Sequence, residues 1–126
     1  MITLSLEHML EIHAIVIQET GGSNGLRDLG RLESAIAIQM QNVFGQELYE
    51  TATMKAAAMI RNIITDHPFI DGNKRTAMLV GLTFLKLNNV DVNFKDREIE
   101  NFAVIIATDH LSIKDIDSWI IEHSVQ

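Results

Sequence analysis

Two predicted helices are joined by the stretch HPFIDGNKRT, residues 67–76, and this stretch decides the fold. Because a proline keeps the residue before it out of the helical region, the preceding helix is predicted to end close to Asp66. The tripeptide DGN at 71–73 offers turn-forming and helix-capping side chains. The next segment, TAMLVGLTFLKL at 76–87, is apolar on almost every side, so it predicts a helix at the centre of the fold.

Upstream of this stretch, apolar residues recur at the three-to-four spacing of helices. They predict a first helix from about Ser5 to Glu19, and a third that carries apolar residues from Ala52 to Ile64. A cluster of glycines at 21–25 is too permissive to continue a helix and predicts a loop that ends near Asp28. A second helix is predicted after this loop, with its apolar positions at Leu32, Ala35, Ile36 and Met40.

Downstream, the pair Asn88 and Asn89 is expected to end the central helix, and residues 90–94 alternate as a short extended segment. Apolar spacing from Ile99 to Ile106 predicts a fifth helix, and Ser112 offers a cap for a sixth. The predicted fold is therefore all-α: a compact bundle of six helices with a central buried helix and one short extended segment. We expect a single domain over residues 1–126.

Composition and charge exclude several classes of protein. The chain has 126 residues and no cysteine, which suits one globular domain and excludes disulfide frameworks and cysteine-bearing zinc sites. Its net charge of −7 repels nucleic-acid phosphates, so direct nucleic-acid binding is not expected. The first 26 residues contain no Lys or Arg, and no apolar run approaches about 18 residues. We therefore expect a cytoplasmic protein without a signal peptide or a membrane partner.

The charge is uneven along the chain, and its positive part predicts an anion site. Residues 55–86 carry five basic and two acidic side chains, a net of +3 that leaves −10 for the rest. Helix starts favour acidic residues because their free N–H groups form the positive end of the helix dipole, yet Lys74 and Arg75 open the central helix. Free N–H groups, two cations and a glycine that lets a ligand approach the backbone together favour phosphate. Asn73 can cap the helix or touch that phosphate.

Two neighbouring residues add chemistry to this phosphate site. A carboxylate beside a polyphosphate most usefully holds Mg²⁺ or Mn²⁺ that bridges phosphate oxygens, which is the role predicted for Asp71. His67 lies four residues earlier, and a neutral imidazole with an ordinary pKa of about 6.5 can take a proton from an attacking hydroxyl. A general base, a metal ligand and a phosphate cradle thus fall within nine consecutive positions, 67–75.

The sequence HPFIDGNKR closely resembles the core motif of the Fic/Doc superfamily, a helix-loop-helix that carries His-x-Phe-x-(Asp/Glu)-(Gly/Ala)-Asn followed by basic residues. The resemblance implies a catalytic base toward a hydroxyl of a target protein, an anchor that holds the loop in the core, a metal ligand and a phosphate cradle. The residues implied for these roles are His67 as base, Phe69 as anchor, Asp71 as metal ligand, and Gly72, Asn73, Lys74 and Arg75 around the phosphate.

Two departures from the Fic pattern indicate the Doc branch of the superfamily. Fic transferases usually have Gly where this chain has Lys74, and a second Arg where it has Met78. Doc toxins, the toxin halves of toxin–antitoxin pairs, transfer the terminal phosphoryl group of ATP to a hydroxyl of elongation factor Tu, whereas Fic relatives transfer AMP. The resemblance therefore implies an ATP- and Mg²⁺-dependent protein Ser/Thr kinase that blocks translation and is inhibited by an antitoxin protein.

Other interpretations of the motif stay open at this point. One alternative is AMP transfer as in Fic enzymes, and another is binding of a nucleotide or a protein without catalysis. A third alternative is a loop that only connects two helices, since proline and an Asp-Gly-Asn turn are common there. A metal phosphohydrolase is a further alternative, and it requires the convergence of Asp66, His67, Asp71, Asp109 and His110.

Three predictions concern residues outside the motif. Ser118 and Glu122 match all but the last position of (Ser/Thr)-x-x-x-Glu-(Gly/Asn), the inhibitory motif of some Fic proteins, and are a candidate autoinhibitory element. His13 lies on an apolar stripe and is predicted to be a satisfied core residue. The scattered methionines, Met40 among them, are predicted to pack in the core.

Overall fold

The structure, a computed structural model, describes residues 1–95 and 97–125. Six α-helices account for most of this part of the chain, so the predicted all-α fold is confirmed. In chain order they are α1 (Leu6–Thr20), α2 (Leu29–Ala37), α3 (Ala52–Asp66), α4 (Asn73–Leu87), α5 (Glu98–Asp109) and α6 (Ile113–Glu122). A 3₁₀ turn, Ile38–Met40, and a small antiparallel hairpin of β1 (Asn42–Val43) and β2 (Gln46–Glu47) lie between α2 and α3.

Helix α4 lies at the centre of the fold, as its sequence predicts. It packs against α3, α1 and α5, and its buried residues include Val80, Phe84 and Leu85. Gly81 lets α4 approach α3 closely, because a Cβ built at this position would lie 2.4 Å from Cδ1 of Ile60. The close contact of α3 with α4 fixes the frame that carries the loop between them.

The loop between α3 and α4 begins and ends on residues with left-handed backbone. Helix α3 ends at Asp66, as predicted, and its C-cap His67 has φ 48° and ψ 61°. Gly72 is the N-cap of α4 with φ 74°, a conformation that favours glycine. A Cβ on Gly72 would also lie 3.1 Å from Cδ1 of Ile17 and 3.3 Å from Cγ1 of Val16. The loop, residues 67–72, is therefore sharply turned and lies directly against α1.

The region between α2 and α3 differs from the prediction. Helical spacing placed Met40 on a core face, and this is wrong: α2 ends at Ala37, and Met40 is 59% exposed at the end of the 3₁₀ turn. The hairpin has no counterpart in the prediction, because strands of two residues are too short to show alternation. It is tied to α3 by the buried Lys55, whose Nζ donates to the carbonyl of Gln39 at 2.9 Å and to Glu47 Oε1 at 3.2 Å.

The extended segment predicted at 90–94 connects α4 with the C-terminal helices. Val92 forms an antiparallel bridge with Ser124, and the ring of Phe94 stacks on Trp119 of α6 with 4.9 Å between ring centroids. Helix α6 starts with the capping box that Ser112 predicts. In the part of the chain that the structure describes, no helix is long and apolar enough to cross a membrane.

Candidate active site

One cavity at the amino end of α4 collects the residues to which the sequence assigns chemistry. Its volume is about 350 Å³, and α1 contributes Val16 and Thr20 to its wall. Phe69 is not part of this wall, since it is 1% exposed and belongs to the hydrophobic core. The motif residues that line the cavity, besides Ile70, are His67, Asp71, Gly72, Asn73, Lys74 and Arg75.

The glycine-rich segment 21–28 runs alongside the loop and pairs with its backbone. The carbonyl of Pro68 accepts hydrogen bonds from the amides of Arg27 at 2.7 Å and Asp28 at 3.0 Å. The segment continues directly into α2, because the side chain of Asp28 caps that helix by accepting from the amide of Arg31. The start of α2 and the site loop are thus held together as one unit.

Asp71 is held by both its side chain and its backbone. Its Oδ2 accepts from the amide of Ser23 at 3.0 Å, and its carbonyl accepts from Nε2 of His13 at 2.9 Å. A Cβ on Gly22 would lie 3.2 Å from Oδ2, so glycine at this position lets the segment 21–28 approach the carboxylate. The carboxylate is exposed, and its two oxygens offer about four lone-pair positions. The bond to Ser23 therefore leaves capacity for a metal ion.

His13 is buried, as the sequence predicts, and its partners belong to the site loop. It is 4% exposed, and its ring stacks on Phe69 with 3.9 Å between centroids and 6° between planes. Together with the bond to the carbonyl of Asp71, this stacking ties α1 to the loop at two points. Sequence reasoning gave His13 no part in the site. The signal that could have found it is a polar ring on an otherwise apolar helical stripe.

Asn73 uses its side chain to close the loop. Its Oδ1 accepts from the amide of Phe69 at 3.0 Å, and its Nδ2 donates to the carbonyl of the same residue at 2.9 Å. The sequence offered helix capping or phosphate contact for this residue, but in the structure the side-chain amide is engaged by Phe69. A phosphate contact from Asn73 therefore falls to its backbone N–H group, which lies in the first turn of α4.

The first turn of α4 forms the positive wall of the cavity. It contains no acidic residue, while Lys74 and Arg75 are exposed there. The first N–H groups of a helix lack intrahelical partners and attract anions. The guanidinium of Arg75 is already engaged in an ion pair, because its Nη2 donates to Oε1 of Glu100 on α5. Sequence reasoning missed Glu100, since its position on α5 depends on tertiary packing.

Within the described part of the chain, the acidic and histidine side chains do not converge into a metal cluster with several ligands. Among residues 1–95 and 97–125, no three His, Asp or Glu side chains lie close enough together to hold one ion. The cluster required by the phosphohydrolase alternative is therefore absent from this part of the chain. A single carboxylate still suits Mg²⁺, which keeps several waters and is commonly bound by one or two carboxylates together with substrate phosphates. Asp71 fits that mode of binding.

The candidate autoinhibitory pair lies on α6. Ser118 and Glu122 are both exposed. A second cavity, of about 600 Å³, also has Arg75 in its wall. Among the described residues, Ser118 and Glu122 line neither this cavity nor the one of 350 Å³. The structure therefore does not bring this pair together with His67 and the phosphate cradle.

Comparisons with known proteins identify the family of the chain. The family model described as "Fic/DOC family" matches residues 3–85, which include the whole site loop. "Toxin Doc" of Mycolicibacterium smegmatis is 39% identical over 72 residues, which are 57% of this chain and 55% of that protein, so the match spans about half of this relative. "Protein kinase doc" of Escherichia phage P1 is 31% identical over 113 residues, 90% of this chain and 88% of that protein. The chain therefore belongs to the Fic/Doc family, on the branch that contains the Doc toxins.

Proposed function

We propose that this protein is the toxin of a toxin–antitoxin pair and a protein kinase. It transfers the γ-phosphoryl group of ATP to a Ser or Thr hydroxyl of a translation factor, elongation factor Tu, and so blocks translation in the cytoplasm. One observation carries the proposal: His67, Asp71 and the positive first turn of α4 line the same cavity of about 350 Å³. A proton acceptor, a metal ligand and a phosphate cradle are the parts that phosphoryl transfer needs.

The phosphates of ATP bind at the first turn of α4. The backbone N–H groups there point toward the phosphate oxygens, and Lys74 and Arg75 offset their negative charge. Arg75 has to share its guanidinium between Glu100 and phosphate, so nucleotide binding is expected to loosen that ion pair. Asp71 would hold a Mg²⁺ ion which, when bound, neutralises charge on the phosphate oxygens.

His67 acts as the general base. His67 lines the cavity and is exposed. The neutral ring accepts the proton of the target hydroxyl while that oxygen forms a bond to the γ-phosphorus. The bond between this phosphorus and the β–γ bridging oxygen breaks, and ADP leaves with the electron pair. Most of the rate acceleration comes from positioning and from the charge of the cradle.

AMP transfer is the second candidate, and Lys74 argues against it. Lys74 lines the cavity at the place where a Fic-type pattern has glycine, so it fills space and adds charge there. The relative from phage P1, which matches along nearly the whole chain, carries "protein kinase" in its name. Both observations favour transfer of the γ-phosphoryl group. Binding without catalysis is the third candidate. It predicts that the wild-type protein transfers neither phosphate nor AMP.

An antitoxin protein is the proposed inhibitor. The larger cavity, of about 600 Å³, shares Val16 and Arg75 with the site and has a wall rich in apolar side chains. A partner segment with an apolar face can bury itself there. Because this cavity reaches Arg75, a segment bound in it would obstruct access of the nucleotide to the cradle. The apolar residues of the wall include Met78, Leu79, Leu82, Val92, Phe94 and Ile99.

The proposal is tested with two labelled nucleotides. Purified elongation factor Tu is incubated with the protein, Mg²⁺ and ATP labelled at either the γ- or the α-phosphate, and a bacterial lysate is treated in parallel. Kinase activity labels protein from γ-labelled ATP alone, whereas AMP transfer labels it from α-labelled ATP. If neither nucleotide labels any protein, in elongation factor Tu or in the lysate, the protein is a non-catalytic member of its family.

A further inference from the structure

Three successive carbonyl groups at the end of α3 accept hydrogen bonds from one short segment, residues 27–31. The guanidinium of Arg27 donates through Nη2 to the carbonyl of Asp66 at 2.9 Å, and through Nε to the carbonyl of His67 at 2.8 Å. Nη1 of Arg31 donates to the carbonyl of Asp66 as well, at 2.7 Å. The next carbonyl, that of Pro68, accepts from backbone amides of the same segment. One rigid fork therefore bridges two consecutive peptide groups.

These two peptide groups determine the direction of the His67 side chain. The peptide between Asp66 and His67 sets φ of His67, and the peptide between His67 and Pro68 sets its ψ. Both angles lie in the left-handed region, at 48° and 61°, which is disfavoured for a residue with a Cβ. Surrounding contacts can stabilise a conformation of this kind, and the fork of Arg27 holds both peptide planes of His67 at once.

We propose that Arg27, assisted by Arg31, is a positioning residue for His67. The proposal rests on the function proposed above, in which His67 is the base, and adds the group that aims this base at the cavity. The geometry explains why arginine is needed. A planar guanidinium can donate two bonds in fixed directions, whereas the single ammonium of lysine cannot reproduce the fork. Both residues also place positive charge at the negative end of the α3 dipole.

Asp28 supports the arrangement from the other side. Its Oδ1 accepts from the amide of Arg31 as the N-cap of α2, and its Oδ2 lies 3.4 Å from Nε of the same side chain. Arg31 is thereby directed from the first turn of α2 toward the last carbonyl of α3. Its single bond duplicates half of the Arg27 fork, so we expect Arg31→Lys to have a smaller effect than Arg27→Lys.

The chain offers a matched control for the test. Arg61 also uses its guanidinium to hold a backbone carbonyl beyond a helix end: its Nε donates to the carbonyl of Leu111 at 3.0 Å. Leu111 follows α5 and does not line the cavity of 350 Å³ or that of 600 Å³. Arg27→Lys and Arg61→Lys each keep the charge and remove the guanidinium geometry. The test compares both variants with the wild type in kcat and in KM for ATP, with elongation factor Tu and Mg²⁺ present, and in thermal unfolding. We also measure the three-bond coupling between the amide and α protons of His67 by NMR, which reports φ.

The expected result is specific to Arg27. Arg27→Lys should lower kcat about 10- to 100-fold, as a misplaced catalytic group does, leave KM for ATP unchanged and alter the His67 coupling. Arg61→Lys should change neither kcat nor the coupling. An Arg27→Lys variant that keeps both, or that only loses thermal stability as Arg61→Lys does, overturns the proposal. If the wild type transfers nothing, the proposed function fails separately, and the coupling alone then decides: a change confined to Arg27→Lys upholds the positioning role, and no change refutes it.

Discussion

Two helices of this protein end in the same dipeptide, Asp-His, with nearly the same backbone. Asp66 ends α3 and Asp109 ends α5, and each is followed by an exposed histidine as the C-cap. His67 has φ 48° and ψ 61°, and His110 has φ 51° and ψ 50°. In sequence and in local conformation, the two helix ends can hardly be told apart.

Their surroundings differ. His67 borders the cavity that holds Asp71 and the positive first turn of α4, and the carbonyls of Asp66 and of His67 itself accept from the Arg27 fork. At the other helix end, the arginine bond goes one residue further along, from Arg61 to the carbonyl of Leu111. A left-handed histidine after a helix is therefore not enough to propose a catalytic group. The proposed role of His67 rests on the neighbouring anion cradle and on the fork.

The largest difference between the two helix ends is expected on replacing each histidine. His67→Ala should lower the transfer rate about 10²- to 10⁴-fold, because a general base typically contributes that much. Expression of the His67→Ala variant should also no longer arrest bacterial growth. His110→Ala should keep both activities, and growth on induction of each variant checks this directly. Equal toxicity of the two variants would contradict a catalytic role that belongs to His67 and not to His110.

Next in size is the effect of removing the carboxylate beside the cradle. Asp71→Asn should lower Mg²⁺-dependent transfer by about 100-fold, since a neutral amide is a poor ligand for a hard cation that stabilises transition-state charge. Asp109→Asn, at the other helix end, is the matched control and should transfer at the wild-type rate. A titration of rate against Mg²⁺ concentration measures both variants. A wild-type Mg²⁺ dependence in Asp71→Asn would remove this residue from the site.

Glycine at the two histidine positions should separate stability from activity. A left-handed residue with a Cβ costs about 1–2 kcal/mol relative to glycine, which is the usual residue at such helix ends. His110→Gly should therefore raise the free energy of unfolding by about 1 kcal/mol while activity is kept. His67→Gly should raise it by a similar amount and abolish transfer. Urea unfolding supplies the free energies, and a loss of stability in both variants would show that neither backbone is strained.

The smallest effect concerns a third histidine, His123, the C-cap of α6, whose backbone is right-handed. Its ring is held by the carbonyl of Trp119 at 2.7 Å and by Oε2 of Glu98 at 2.9 Å, and these bonds raise the pKa of His123 above 6.5. The backbone amide of Lys95 and the ring of His123 lower the pKa of Glu98 below 4.5. Glu122 adds a further negative charge near His123.

The sign of the resulting pH dependence follows from these two shifts. His123 stabilises the fold fully below pH 6.5, and this contribution is lost as the pH rises through its higher folded pKa. Glu98 contributes above pH 4.5 and loses its contribution as the pH falls through its lower folded pKa. The urea midpoint should therefore fall above neutral pH in the wild type and less so in His123→Gln.

The features of the fold and of the site that could be predicted from the sequence are those that depend on neighbours along the chain. Pro68 predicts the end of α3, Ser112 predicts the start of α6, and the apolar run at 76–87 predicts the buried centre. The motif residues from His67 to Arg75 could be singled out because they are contiguous.

The remainder depends on contacts between distant parts of the chain. Arg27 lies about 40 positions from the carbonyls it holds, and His13 lies 58 positions from Asp71. The distant partners of these two residues cannot be deduced from local spacing or composition, although His13 itself stands out as a polar ring on an apolar helical stripe. Met40 was misplaced for a similar reason, because helical spacing continues past the point where α2 gives way to a 3₁₀ turn.

Intact-mass analysis of elongation factor Tu tests the central claim most directly. The factor is incubated with ATP, Mg²⁺ and, in separate samples, the wild type, His67→Ala and His110→Ala. We expect a gain of one phosphate with the wild type and with His110→Ala, and no gain with His67→Ala. An AMP-sized gain, or a phosphate gain that survives in His67→Ala, would contradict it.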